Sequence, residues 1–265
     1  MPTVTAHTVG TFSWPELGTT DQKAAKQFYT TLFGWQFKDN DMGPNGVYTI
    51  FTLDGHDVAA LYTLMPDMVK QGMPPYWGSY VTVENVDLSA EKAKSLGGTV
   101  VMPPMDVMEH GRMVVIQDPQ GASFTLWQPR NHIGAGVLNE PGSLAWTQLN
   151  AKDTAAAKKF YTALLGWKVQ DDEMPAAMGG GAYTTWLKSD GPAGGMMPMP
   201  KDVPAPSHWL PHFAVTSVDA SATKAGSLGA KTFLPPTDIP GTGRFAVLAD
   251  PQGAMFAIVK FDMPA

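Results

Sequence analysis

Cysteine is absent from this chain of 265 residues. Disulfide bonds, thiolate nucleophiles and cysteine-ligated metal sites are therefore excluded. Basic side chains are also scarce, since 18 Lys and Arg stand against 24 Asp and Glu and the net charge is −6. Because nucleic acids and anionic membrane surfaces are bound through basic patches, we expect neither as a partner.

Long apolar runs are missing as well. No segment approaches the roughly 18 consecutive apolar residues that a membrane span requires. Residues 1–10 lack the basic and apolar regions of a signal peptide. These absences favour a cytoplasmic location, and the apolar fraction of 44% with a charged fraction of 16% is that of an ordinary globular chain.

Two copies of one segment lie 132 residues apart. Residues 12–35 and 144–167 are identical at 12 of 24 aligned positions. The same offset relates the DPQG sequence at 118–121 to the DPQG sequence at 250–253. Repeats of this length predict two similar domains rather than a solenoid.

A shorter period divides each copy again. Aspartates recur every 66 residues from Asp21 to Asp219, and each is expected to lie just before a short helix. The chain therefore reads as four related units of β-α-β-β-β pattern. We place the two domains at 8–130 and 142–263, joined by a linker over 131–141.

The first unit shows the expected elements most clearly. Residues 12–17 predict a strand, and Pro15 predicts that this strand lies at an edge or is interrupted, because proline cannot donate to a ladder. A helix is expected to begin after Asp21 and to end at Gly34. The Met- and Pro-rich segment 196–207 predicts a loop between units.

These features resemble the vicinal oxygen chelate superfamily, which includes glyoxalase I, bleomycin resistance proteins and extradiol dioxygenases. The resemblance rests on the four units, on the FYxxLxGW helices at 28–35 and 160–167, and on the two DPxG hairpins. It implies an α+β fold in which four βαβββ units pair into two tandem glyoxalase-like domains with cupped mixed sheets. It does not specify a reaction, because one fold hosts many chemistries.

Members of this superfamily commonly hold a divalent metal through a His in each first strand and a Glu in a last strand. The corresponding positions here fall at or near residues that are poor metal ligands: Trp14, Gly78 and Thr125 in the first half, and Trp146, Leu210 and Ala257 in the second. A divalent metal needs several converging His, Asp or Glu groups. We therefore expect no cofactor, with a divalent metal recruited from other residues as the alternative.

Strand alternation predicts which side chains face the two cups. In the first they are Trp14, Glu16, Tyr80, Thr82, Thr125 and Trp127. In the second they are Trp146, Gln148, His212 and Val259. Aromatic walls with a few polar groups are typical of a site for an organic molecule. Alternatively, the two tryptophans fill the space of the missing metal site as core residues.

Glu16 is the candidate catalytic residue, because desolvation in an aromatic cup raises the pKa of a carboxyl towards that of a general base. Alternatively, it lies at the rim in water. Its counterpart Gln148 is neutral, so we expect a ligand to prefer the first cup. His212 aligns with Tyr80, which favours aromatic packing. His208 would lie about 13 Å from His212 along a strand, too far to share a metal.

The sequence thus predicts a glyoxalase/bleomycin-resistance-like, metal-independent protein that binds a small aromatic or apolar organic molecule. The alternative is a superfamily enzyme with lyase, isomerase or oxygenase chemistry, using Glu16 as general base or a recruited divalent metal. A third hypothesis is an interaction protein whose cups are filled by side chains. We expect a monomer or a homodimer.

Overall fold

The computed structural model describes residues 2–174, 180–199 and 205–262. The strands of the first half are β1 (Phe12–Thr19), β2 (Gln36–Asp41), β3 (Val47–Leu53), β4 (His56–Thr63), β5 (Tyr76–Thr82), β6 (Thr99–Val107), β7 (Gly111–Gln117) and β8 (Ser123–Pro129). Its helices are α1 (Gln22–Phe33), α2 (Pro66–Lys70) and α3 (Val86–Ser95), with a 3₁₀ turn at Gly43–Asn45.

The second half repeats this plan. Its strands are β9 (Leu144–Ala151), β10 (Lys168–Glu173), β11 (Ala182–Lys188), β12 (Gly191–Pro198), β13 (His208–Ala214), β14 (Lys231–Ile239), β15 (Gly243–Ala249) and β16 (Met255–Phe261). Its helices are α4 (Thr154–Leu165) and α5 (Val218–Ser227). Among the described residues, no helix combines the length and apolar character needed to cross a membrane.

Each half forms one eight-stranded mixed sheet. The strand orders are β2-β3-β4-β1-β5-β8-β7-β6 and β10-β11-β12-β9-β13-β16-β15-β14. In each sheet the first strands of the two units pair antiparallel at the centre, as β1 with β5 and as β9 with β13. The predicted α+β fold with four βαβββ units and two cupped sheets is thereby confirmed.

The first helix of each half is bounded by the residues that the sequence indicates. The Asp21 side chain accepts a hydrogen bond from the Ala24 amide, and Gly34 ends α1 at φ 76° in the left-handed region. Helix α4 is bounded in the same way by Asp153 and Gly166. An N-cap acceptor satisfies an amide that the helix itself leaves unpaired.

The expectation that all four aspartates precede a helix is wrong for Asp87 and Asp219. Both lie in the first turn, of α3 and α5 respectively. Their carboxylates form ion pairs with Arg112 on β7 and Arg244 on β15. A negative charge in the first turn is favourable because the helix dipole is positive there.

The placement of Pro15 at a sheet edge is wrong, because β1 is a central strand between β4 and β5. Its parallel pairing with β4 begins only at Glu16, directly after the proline. On the N-terminal side of the proline, the linker replaces β4 as the neighbour of β1, since the Ala135 amide donates to the Ser13 carbonyl at 2.7 Å. The proline thus lies where β1 changes partner.

The predicted loop 196–207 also begins later than expected. Residues 196–198 belong to β12, which pairs in parallel with β9. Residues 200–204 lie outside the described part of the chain.

The two hydrophobic cores are shared between the halves. One core combines α1, β3 and β4 with α5, β15 and β16, so it joins the first unit to the fourth. The other combines α3, β7 and β8 with α4, β11 and β12, so it joins the second unit to the third. The helices follow the same rule, since α1 packs against α5 and α3 against α4.

Buried hydrogen bonds connect the repeated motifs across the halves. The Tyr29 hydroxyl of the first FYxxLxGW helix donates to Asp250 of the second DPQG turn at 2.9 Å, and Trp77 Nε1 donates to the same hydroxyl at 2.9 Å. The reciprocal set consists of Tyr161, Asp118 and Trp209. The motifs that carry the family resemblance therefore have a structural role at the junction of the halves.

Candidate functional site

The concave face of the first sheet, called the N-terminal cup, is lined by Trp14, Glu16, Tyr80, Thr125 and Trp127. Trp14, Tyr80 and Trp127 are only 4%, 7% and 5% exposed and pack in one cluster. The structure therefore brings the predicted aromatic residues together, and it buries them against one another.

The linker covers this cup. Ala135 is fully buried in the same cluster as Trp14. The His132 ring lies edge-on to Trp14 with centroids 4.7 Å apart, and the His132 carbonyl accepts a hydrogen bond from Trp127 Nε1 at 3.0 Å. Side chains and linker thus occupy much of the space that the sequence assigned to a ligand.

Glu16 lies inside the N-terminal cup with both carboxylate oxygens bound. Tyr48 and Tyr80 each donate a hydroxyl hydrogen bond of 2.7 Å, one to Oε1 and one to Oε2. Trp14 Nε1 in turn donates to the Tyr48 hydroxyl at 3.4 Å. Burial raises the pKa of Glu16, and the two tyrosine hydrogen bonds offset part of that rise.

The remaining predicted residues of this cup are also buried. The Thr82 hydroxyl donates to Ser13 Oγ at 2.8 Å, so it is engaged within the protein. Thr125 lies opposite Tyr80 in the β5–β8 pair. A pair of tyrosines adjoins the cup, where the hydroxyls of Tyr62 and Tyr76 lie 2.8 Å apart.

Sequence reasoning missed Tyr48 and His132 as members of this site. Tyr48 could have been found from alternation along β3. Thr49 and Phe51 face the buried side of this strand, so Tyr48 faces the opposite side, towards the cup. His132 could not, because it lies in an irregular linker whose path no periodicity predicts.

The concave face of the second sheet, called the C-terminal cup, is lined by Trp146, Gln148, His212, Tyr183 and Val259. Trp146 is half-buried, unlike its buried counterpart in the first half. Its Nε1 donates to the Tyr183 hydroxyl at 2.8 Å. Gln148 Nε2 donates to Asn150 at 3.1 Å. Sequence reasoning missed Tyr183, which occupies the place of Tyr48.

His212 lies on β13 directly opposite Trp146. Its Nδ1 is 3.1 Å from the Leu210 carbonyl oxygen, and its ring stacks near Phe245 with centroids 6.4 Å apart. Burial lowers the pKa of His212 to about 4, so the ring is neutral at neutral pH. His208 pairs instead with Asn150, further along the strand.

The donor atoms of the cups do not favour a divalent metal. The positions that the family resemblance assigns to metal ligands carry Trp14, Gly78 and Thr125 in one cup and Trp146, Leu210 and Ala257 in the other. Within residues 2–174, 180–199 and 205–262, no group of three His, Cys, Asp or Glu residues could hold a metal ion. The absence of a tightly bound metal stays a prediction.

Two open clefts do not include the predicted cup residues. One, of about 270 Å³, is lined by His56, Asp57, His132 and neighbouring linker residues. The other, of about 380 Å³, lies between α5 and β14. Both are open to solvent, and neither includes Glu16 or His212, so we base the candidate site on the cups and their chemistry.

The chain is similar to proteins of known families over almost its whole length. The family model of the Glyoxalase/Bleomycin resistance protein/Dioxygenase superfamily matches residues 6–126 and 143–258. "Putative glyoxylase CFP32" of Mycobacterium tuberculosis is 44% identical over 98% of both chains. "Anthracycline biosynthesis protein DnrV" of Streptomyces peucetius is 36% identical over 95% of this chain and 93% of its own.

Solved structures with low sequence identity share the fold. The Mn(II)-bound glyoxalase from Novosphingobium aromaticivorans is 17% identical, with a TM-score of 0.65 over 97% of this chain and 86% of its own. A catechol 2,3-dioxygenase is 14% identical, with a TM-score of 0.63 over 98% of this chain and 90% of its own.

Proposed function

Because the chain belongs to the Glyoxalase/Bleomycin resistance protein/Dioxygenase superfamily, we propose that it binds a small aromatic or apolar organic molecule on the concave side of its sheets without a resident metal ion. The observation that carries the proposal is the pair Trp14 and Trp146. Each lies at a position that the family resemblance assigns to the first metal ligand, and each indole donates to a tyrosine hydroxyl. Aromatic walls with a few polar atoms suit an organic ligand.

The relatives support the class of ligand. One is named "Putative glyoxylase CFP32" and another "Anthracycline biosynthesis protein DnrV", and both names refer to chemistry on small organic compounds. Their identities of 44% and 36% extend over both halves, so the similarity includes both cups.

The second candidate function is a metal-independent enzyme with Glu16 as general base. The raised pKa of this half-buried carboxyl favours it. Each oxygen accepts one tyrosine hydrogen bond and keeps a second lone pair, through which it would take a proton. Removal of a proton from the bound molecule would start a lyase or isomerase reaction, and an oxygenase reaction would in addition need molecular oxygen as the oxidant.

Metal analysis and a ligand screen test the proposal together. Purified protein after mild dialysis is expected to hold only sub-stoichiometric zinc, iron, nickel and manganese. A panel of aromatic compounds is then screened by quenching of tryptophan fluorescence, before and after treatment with EDTA. Binding that survives EDTA supports the proposal, and binding that requires an added metal overturns it. Conversion of a bound compound to product would support the enzyme instead.

A further inference from the structure

The two cups differ in how much hydrogen-bonding capacity they leave for a ligand. In the N-terminal cup both oxygens of Glu16 are bound by tyrosines, the Thr82 hydroxyl is bound to Ser13, and His132 Nε2 is buried 3.6 Å from the Asp57 carboxylate. The linker is also packed there against Trp14. A ligand in this cup would have to displace the linker and share Glu16 with the two tyrosines.

His212 in the C-terminal cup has a free acceptor atom. A carbonyl oxygen only accepts, so the contact with Leu210 requires that Nδ1 carry the hydrogen. The neutral ring therefore has its lone pair on Nε2. No residue in the described part of the chain forms a hydrogen bond with that atom.

This nitrogen is also not sealed inside the protein. The buried side-chain nitrogen and oxygen atoms that lack a partner among the described residues are Ser79 Oγ, His132 Nε2, Thr147 Oγ1, Trp186 Nε1 and Gln252 Oε1. His212 Nε2 is not one of them, and neither is Gln148 Oε1. With no partner among the described residues, both atoms keep some accessible surface, although their side chains are only 4% and 8% exposed.

The same cup supplies a donor and a half-buried ring. The Tyr183 oxygen accepts from Trp146, which leaves its own hydrogen for another acceptor. Gln148 lies diagonally across from His212 in the β9–β13 ladder, so their backbones are roughly 7 to 8 Å apart and their polar ends can reach one small molecule.

The described residues that line the C-terminal cup carry no charge. Phe245, Val259 and Phe261 form one side in a single cluster. The polar residues are Trp146, Gln148, Tyr183 and the neutral His212. An ionised ligand would find no opposite charge among these residues, and burying an unpaired charge is costly. The ligand that fits is therefore uncharged.

We propose that the C-terminal cup binds an uncharged, planar aromatic molecule that carries a hydroxyl or N–H donor, and that His212 Nε2 accepts the hydrogen bond from this donor while the ring lies against Trp146. This inference rests on the proposed function and names its site and ligand class. The N-terminal cup is then mainly structural, with its acidic group engaged by tyrosines.

Paired probes test this assignment by calorimetry on the full chain. The first probe is 2-naphthol, and the second is 2-methoxynaphthalene, which lacks the donor. Wild-type protein is expected to prefer 2-naphthol. The His212→Phe variant keeps a ring of similar shape but has no acceptor, so its affinity for 2-naphthol is expected to fall about tenfold, the worth of one neutral hydrogen bond. Its affinity for 2-methoxynaphthalene is expected to change little.

The outcomes separate this inference from the proposed function. Equal 2-naphthol binding by wild type and His212→Phe, or a loss caused by Glu16→Gln instead, overturns the inference and leaves the proposed function standing. Failure of wild type to bind either probe contradicts both. The ¹⁵N resonance of His212 Nε2 in wild-type protein gives a readout that needs no variant. It is expected to shift with 2-naphthol and not with 2-methoxynaphthalene, and an unchanged resonance overturns the assignment.

Discussion

Glu16 and Gln148 occupy equivalent positions in the two halves but have different surroundings. Glu16 accepts from Tyr48 and Tyr80, whereas in the second half the place of Tyr80 is taken by His212. A histidine whose Nδ1 faces a carbonyl cannot donate to a side chain through its other nitrogen. The neutral amide of Gln148 suits that environment, because it carries no charge that two hydrogen-bond donors would have to stabilise.

We expect Glu16→Gln to stabilise the protein more at about pH 8 than at about pH 5. Burial raises the folded-state pKa of Glu16, so its protonated form is favoured on folding. The wild type therefore loses stability as the pH rises through that folded pKa, and the glutamine variant does not. Thermal unfolding of both proteins at the two pH values checks this. A difference that shrinks with rising pH would refute it.

His212 gives the opposite dependence on pH. Its pKa falls from 6.5 to about 4 on folding, so the unfolded chain binds more protons between these values. Wild-type stability is therefore expected to fall as the pH drops from about 6.5 towards 4, by at most about 3 kcal/mol for this group. In urea titrations His212→Phe should show a flatter profile over that window. Parallel profiles would contradict the assignment.

Alternation predicted the cup residues of the leading strands because each strand has one face against a helix-covered core. Trp14 and Tyr80 were therefore identified from sequence, and they cluster in the structure. The packing of the linker into the N-terminal cup was not predictable in this way. It depends on the linker residues His132 and Ala135, which have no periodic pattern.

At the scale of elements, the FYxxLxGW helix is held by the DPQG turn of the other half. We expect Tyr29→Phe to lower the free energy of unfolding by about 1–3 kcal/mol, because buried Asp250 loses a donor and Trp77 Nε1 loses its acceptor. Urea denaturation measures the loss. Tyr161→Phe in the other half should cost a similar amount.

Thr31→Val provides the control for this prediction on the same helix. Its hydroxyl bonds only the exposed turn at Gln27, so the change should stay within about 0.5 kcal/mol. Equal, small effects of Tyr29→Phe and Thr31→Val would mean that the buried network contributes little.

Gly195 on β12 makes room for the tyrosine of the C-terminal cup. A Cβ there would collide with the Tyr183 hydroxyl and lie 2.8 Å from Trp146 Nε1. We expect Gly195→Ala to break the hydrogen bond between these side chains and to shift the tryptophan emission. Ala193→Gly on the same strand serves as the control. Unchanged emission in Gly195→Ala would show that the two side chains adjust without separating.

At the scale of the whole molecule, the repeat predicted how many units there are but not which units share a hydrophobic core. The two copies carry the same helix motif and the same turn, so each helix could in principle contact its own turn or the other one. The structure places Tyr29 against Asp250 and Tyr161 against Asp118. Identical motifs do not distinguish these arrangements, and the boundaries 8–130 and 142–263 stay predictions.

Shared cores lead to a prediction about the separated halves. A fragment of residues 8–130 would expose Phe28, Trp77 and Phe124, which are buried in the intact chain together with residues of the second half. Apolar burial is the main favourable term in folding, so a folded monomer of this fragment is not expected.

Because Asp118 is equivalent to Asp250, two copies of the fragment can reproduce the missing contacts, with Tyr29 of one copy against Asp118 of the other. We therefore expect the fragment to be either unfolded or dimeric. Analytical ultracentrifugation combined with thermal melting decides this, and Tyr29→Phe within the fragment should weaken the dimer. A monomeric fragment with a cooperative melting transition would show that each half folds by itself and that the crosswise cores are not required.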